Sequence, residues 1–167
     1  MKTWFGFMAA MLFVAPLYSA ELKALPLRPA PALALPGLDG AVVELTQLRG
    51  KVVLVNFWAV WCPPCRKEMP SMTRLMEKFA GRPFSILGVN EGESPEEIRA
   101  FLTQVPVNFP ILLDREGESL KSWKVFAFPT SYVVDKLGRQ RLGLFGSIEW
   151  DSPEAIAQLE ALIAEGE

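Results

Sequence analysis

The stretch "NFWAVWCPPCRKEMP", Asn56 to Pro70, holds the only two cysteines of the chain, Cys62 and Cys65. It lies where one sequence pattern gives way to another. "KVVLVNFWA" (Lys51 to Ala59) is a continuous valine-rich apolar run of the kind that forms a strand buried on both faces. Apolar residues then recur at helical spacing from about Pro63 to Ala80, and Gly81 closes the pattern. "FSILGVN" (Phe84 to Asn90) reads as a second buried strand. Strand, helix and strand make a βαβ unit, so the sheet is at least partly parallel and the fold is α/β. The cysteines sit at the strand-to-helix junction.

The rest of the chain extends this core. Residues 21–34 carry several prolines and few charges, which predicts a linker ahead of a domain over 35–167. "ALALPGLDGAVVEL" predicts a short β-hairpin, and Thr46 to Leu48 one helical turn. In "ESPEEIRAFLTQ", Ser94, Pro95 and Glu97 form the signature of a capped helix start. A short strand near Phe109–Leu113, a short helix over Leu120–Val125, a strand over Thr130–Asp135 and a returning strand in "QRLGLFG" follow. Asp151, Ser152 and Pro153 open a last helix.

Composition narrows the chemistry. The 167 residues are half apolar, enough for one domain with a real core. The formal net charge is −2 with no basic run, which argues against a nucleic-acid partner. The absence of histidine excludes His-based triads and His-ligated zinc or haem. Residues 1–20 read as an export segment: Lys2, an apolar run from Trp4 to Val14, Pro16, then the small residues Ser19 and Ala20. Tyr18 is a poor residue for cleavage, so a cleaved signal peptide, a retained anchor through residues 4–20 and a buried N-terminal helix all stay open. The first two place the domain in the periplasm or on the extracytoplasmic face of a membrane, where thiols are normally oxidised.

Three roles for the cysteine pair compete. A disulfide across so short a loop removes little chain entropy, about 2 kcal/mol, so a staple adds little to a chain with this much core. Structural zinc needs four ligands, which two cysteines without histidine do not supply. Cu(I) is less demanding, and Met69 and Met72 lie nearby, although core packing explains them more simply. Redox work suits the position. A thiolate at a helix N-terminus meets unpaired N–H groups and the positive end of the dipole, which lowers its pKa. Cys62 is then the attacking thiol, and Cys65, one turn inside, resolves the mixed disulfide. A peroxidase would want a peroxidatic cysteine apart from this pair, and there is none.

On a helical wheel started at Cys65, Met69, Met72, Met76 and Phe79 fall within about 40° of it and form one apolar stripe. Glu68 falls about 60° away, between Phe79 and Leu75, a charged residue on the inward face. A carboxyl there either reaches water at the stripe's edge or is desolvated, with its pKa raised toward neutrality and the ability to exchange protons with Cys65. Pro70 falls on the outer face and should kink the helix without ending it.

"VVLVNFWAVWCPPC", Pro70 and "FPT" at Phe128 to Thr130 resemble the thioredoxin fold. "NFWAVWCPPCRKEMP", "LGVNEGES", "NFPILLD" and "FPTSYVVDKLGR" are similar, in the same order, to segments of exported thiol-disulfide proteins of the TlpA, ResA and CcmG type. The resemblance implies a central mixed sheet flanked by helices, with an N-terminal hairpin and a central inserted helix. It also implies that Cys62 and Cys65 form a redox-active disulfide assisted by Glu68, and that Pro129 is a cis-proline facing it. Trp61, Pro63, Pro64, Phe128 and Thr130 would then join Pro129 in binding an extended client peptide. No cofactor or metal is implied. Ordinary thioredoxins carry a buried aspartate where this chain has Asn56, whose amide cannot accept a proton at neutral pH, so Glu68 is the candidate carboxylate.

Pro63 and Pro64 have no N–H to offer a thiolate, which favours a reductant over an oxidant. A reductant in an oxidising compartment needs a membrane electron donor of the thiol-disulfide type. The resemblance implies such a donor, and clients such as apocytochrome c or a copper-site protein of a terminal oxidase. A Cu(I) carrier or a thiol-dependent chaperone without turnover is the alternative class.

Overall fold

A computed structural model describes residues 20–166, so the expected export segment lies outside the described residues apart from Ala20. A six-stranded sheet runs through the domain in the order β1-β8-β7-β4-β5-β6. Its strands are β1 (Lys23–Pro29), β4 (Val52–Trp58), β5 (Phe84–Glu91), β6 (Ile111–Asp114), β7 (Thr130–Val134) and β8 (Arg139–Phe145), with β2 (Ala34–Pro36) and β3 (Val42–Glu44) forming a separate hairpin. The helices are α1 (Pro63–Lys78), α2 (Pro95–Leu102), α3 (Glu118–Trp123) and α4 (Pro153–Ala164). Strands β4, β5 and β6 are parallel, and β7 and β8 return antiparallel. The sheet is therefore mixed, as expected.

The largest departure is at the start. The stretch expected as a linker supplies β1, which pairs antiparallel with β8 through Lys23↔Gly143 and Pro29↔Arg139. Its prolines mislead because a strand at the sheet's edge tolerates them: one row of its N–H groups has no ladder partner to lose. Pro26 and Pro29 fit such an edge.

β4 is buried along its whole length, and period-2 alternation sorts its side chains between two cores. Val52, Leu54 and Trp58 join the core that contains Met69, Met72 and Leu75 of α1 and Leu159 of α4. Val53, Val55 and Phe57 join Trp123, Tyr132 and Leu45 on the other side. Asn56 falls in the first set, so the strand's one amide points under α1. Beside it in the sheet are Gly88 of β5 and Ser131 of β7. A Cβ at Gly88 would come within 2.8 Å of the Ile111 side chain, which is why glycine serves there.

The turns set the helix ends. Ser94 and Glu97 make the reciprocal capping bonds of α2, and Ser152 caps α4. α1 runs on through Pro70, whose outward position is exposed. Ser71, on the outer side of the wheel, is buried because the segment leading to α4 folds over it: its hydroxyl accepts the Trp150 N–H at 2.9 Å.

Candidate active site

Cys62 is the N-cap of α1 and Cys65 lies in its first turn; the two are joined in a disulfide with Cα atoms 5.3 Å apart. Pro63 and Pro64 fill the first two helical positions, so the first free N–H of the helix is that of Cys65, which points at the Cys62 sulfur at 3.3 Å. Only one short-range donor is thus offered to that sulfur from the first three residues of the helix. Both cysteines are buried, Cys65 completely.

The rim around them is open. Trp61 is 65% exposed and meets Phe128 edge-on, with ring centroids 5.8 Å apart. Pro63 and Pro64 are exposed. The Phe128–Pro129 peptide bond is cis, and Pro129 and Thr130 behind it are buried. Thr130 turns its hydroxyl back onto the Ala127 carbonyl at 2.8 Å, which ties the end of β7 to the preceding loop. The Gly146 N–H donates to the Pro129 carbonyl, and so tethers the loop to the end of β8.

The floor is closed and polar. Glu68 is 1% exposed. Asn56 Nδ2 donates to its Oε1 at 2.8 Å and to Ser131 Oγ at 2.9 Å, while Trp150 Nε1 donates to Oε2 at 3.2 Å. Burial pushes the Glu68 carboxyl up from 4.5 to about 8, because removing the charged form from water outweighs the hydrogen bonds from Asn56, Trp150 and the Ile148 backbone; the neighbouring Glu149 charge adds to the rise. The desolvated alternative for Glu68 is the one realised. A cleft of about 170 Å³, bounded by Lys67, Ser147, Ile148 and Glu149, opens onto Glu68. Met69 and Met72 are wholly buried in the core beneath.

The structure gathers Trp61, Cys62, Pro63, Pro64 and Cys65 at the head of α1, sets Phe128 against Trp61 and places Glu68 one turn along the same helix. Sequence reasoning missed two partners of Glu68, Trp150 and the Ile148 backbone, and it missed Ser131, which accepts from Asn56. Ser131 carried a weak signal, a polar residue in an apolar strand directly across from Asn56. Trp150 carried none, since it lies 82 residues from Glu68. Asn56 is interior to β4 and is the centre of this network.

The AhpC/TSA family description matches residues 26–141. The chain belongs to the AhpC/TSA family. Within that family it is thioredoxin-like and groups with the thiol-disulfide oxidoreductases. It is 36% identical over 110 residues to thiol-disulfide oxidoreductase ResA of Bacillus thuringiensis, a match covering 66% of this chain and 64% of that relative. The corresponding protein of Geobacillus thermodenitrificans is 36% identical over 119 residues, covering 71% of this chain and 68% of the relative. The matched region thus spans about two thirds of the length of these relatives. Among solved structures, the thiol:disulfide interchange protein DsbE of Chlorobium tepidum superposes with a TM-score of 0.76 at 34% identity, covering 81% of this chain and 96% of that one. No helix among the described residues is long and apolar enough to cross a membrane.

Proposed function

We propose that this protein is an extracytoplasmic thiol-disulfide oxidoreductase that reduces disulfides in client proteins. The observation that carries the reading is the Cys62–Cys65 disulfide at the N-terminus of α1, set between an exposed aromatic rim and a buried carboxyl. In the reduced protein the Cys62 thiolate attacks a client disulfide, forms a mixed disulfide and expels the first client sulfur as a thiolate, which takes a proton from water. Cys65 loses its proton to the ionised form of Glu68 and attacks the Cys62 sulfur. The second client sulfur leaves as a thiolate and is protonated in turn. Two electrons pass to the client, and the Cys62–Cys65 disulfide is left behind.

Glu68 suits this work because a carboxyl titrating near 8 holds both protonation states within reach at neutral pH. The adjoining cleft gives its proton a route to solvent. Trp61, Pro63, Pro64 and Phe128 form the surface on which an extended client segment lies, with apolar side chains against the rings, while the buried Pro129 and Thr130 support it from behind.

The direction of transfer follows from the donor count. Two prolines leave the Cys62 thiolate a single nearby helix N–H, so the reduced form is less favoured than with a full set. The pair is therefore a reductant, and a measured potential near that of a strong oxidase, roughly −120 mV, contradicts this. Re-reduction falls to a membrane thiol-disulfide donor. The reading of residues 1–20 as a signal peptide or anchor supports a site of action outside the cytoplasm. The clients are then proteins whose cysteines must be reduced there, such as apocytochrome c before haem attachment or a copper-site protein. Insulin reduction tests the activity: wild type turns over, and Cys62→Ser and Cys65→Ser do not. Equal activity in both variants removes the reading. A Cys65→Ser protein that captures its client as a mixed disulfide through Cys62 identifies the substrate.

A further inference from the structure

The segment "NEGES" leads from β5 into α2, and only part of it is spent on the helix cap, since Ser94 and Glu97 form that box between themselves. Glu93 does something else. It is half-buried, and its carboxylate reaches 33 residues back along the chain to the Val60 N–H, with Oε1 at 2.9 Å and Oε2 at 2.7 Å. Oε2 also accepts the amide N–H of the buried Asn90 at 2.6 Å, which holds the carboxylate from β5.

Val60 lies in the turn that delivers the chain from β4 to α1. The turn is closed by the Cys62 N–H on the Ala59 carbonyl at 3.2 Å, which leaves the Val60 N–H outside its own bonding. The same turn carries Trp61, whose ring stands against Phe128. The position of Cys62 as N-cap and of Trp61 on the rim therefore both depend on a turn fastened from outside by one acidic side chain.

We propose that Glu93 is a positioning residue for the redox pair: it fastens the Ala59–Cys62 turn to the β5–α2 connection, and its negative charge biases the pair toward the disulfide. The sign follows from Coulomb's law. A negative charge held on the Val60 N–H, two residues before Cys62, disfavours the thiolate and with it the reduced form, so the dithiol gives up its electrons more readily. This adds to the lack of donors at Pro63 and Pro64. It also ties the redox loop to the inserted helix α2.

The test separates the two parts. Glu93→Gln keeps an oxygen to accept the Val60 N–H but loses the charge, and Glu93→Ala loses both. Each variant is equilibrated with glutathione, in which two glutathione thiols and the Cys62–Cys65 disulfide exchange with glutathione disulfide and the dithiol. Each is also assayed for KM and kcat in insulin reduction. Glu93→Gln should shift the equilibrium about threefold toward the dithiol with KM near wild type. Glu93→Ala should show the same shift and a KM raised severalfold, because Trp61 loses its placement. Glu96→Gln removes a nearby exposed charge that touches no part of the turn, and should leave both readings unchanged. Glu93 variants indistinguishable from wild type, or a Glu96→Gln shift equal to that of Glu93→Gln, overturn the proposal. The inference rests on the redox function. A wild-type pair that does not exchange with glutathione removes that function, whereas a wild type that exchanges and a Glu93→Gln protein with an unaltered constant removes only the role of Glu93.

Discussion

Two regions meet at the Cys62–Cys65 disulfide, and they are built on opposite rules. The rim leaves a large apolar side chain in water: Trp61 stands exposed, with Phe128 beside it. The floor buries a carboxyl: Glu68 lies under α1 among Asn56, Ser131 and Trp150. Each departs from what stability alone selects, because an apolar patch in water and a desolvated acid both cost free energy. In the function proposed above, the rim works on partners from outside and the floor on protons from inside, with Cys62 serving the first and Cys65 the second.

Mutations that break one region should leave the other intact. The largest effect belongs to the sulfurs. Cys62→Ser should abolish insulin reduction, while Cys65→Ser should retain the first attack and accumulate mixed disulfide, seen as a shift on a non-reducing gel. Next comes the floor. Glu68→Gln should lower kcat/KM by roughly 100-fold, the usual scale of a lost general acid–base group, and remove the limb of the pH profile near 8.

The same substitution has a signed effect on stability. The folded pKa of Glu68 is raised above its unfolded value of 4.5, to about 8. Below 4.5 the acid is protonated in both states. As pH rises from 4.5 to about 8 the unfolded chain ionises first, so the wild type loses stability across that window, by at most roughly 5 kcal/mol. Glu68→Gln does not titrate. It should therefore gain on the wild type as pH rises from 4.5 to 8, measured by urea unfolding at a series of pH values. A constant difference across the window would mean that the acid is not desolvated.

Trp150→Phe removes one donor to Glu68 and keeps the ring in the core. The carboxyl pKa should move further up, and stability should fall by about 1 kcal/mol. The smallest effect is on the rim. Trp61→Ala should raise the KM for a protein client a few-fold, about 1 kcal/mol of apolar contact, with the thermal midpoint unchanged. A change in kcat with KM untouched would place Trp61 in the chemistry and blur the division.

The two regions also differ in how far the sequence revealed them. The position of the cysteines was legible because buried-strand and helical patterns meet there. Glu68 was legible because a charge on an apolar helical stripe breaks the period. The capping box at Ser94 follows the same logic, since it is local in sequence. Trp150 was not legible: its bond to Glu68 exists only once α4 and its leading segment fold back over α1, and no local pattern encodes that approach. β1 was misread for a related reason. Proline content speaks to what a strand cannot donate, and an edge strand with one free side avoids that cost only after the sheet has formed. Glu93 drew no reading of its own, because its partner, a backbone N–H in a distant turn, has no sequence signature.

The division between the two cysteines is most directly tested by alkylating the reduced protein with iodoacetamide across pH and locating the label by mass spectrometry. Cys62 should react first, with an apparent pKa below the ~8.5 of a free thiol, while Cys65 stays unlabelled until the protein unfolds. Equal labelling of both sulfurs, or labelling of Cys62 only above that pH, contradicts an activated thiol at the rim and a shielded one over the floor.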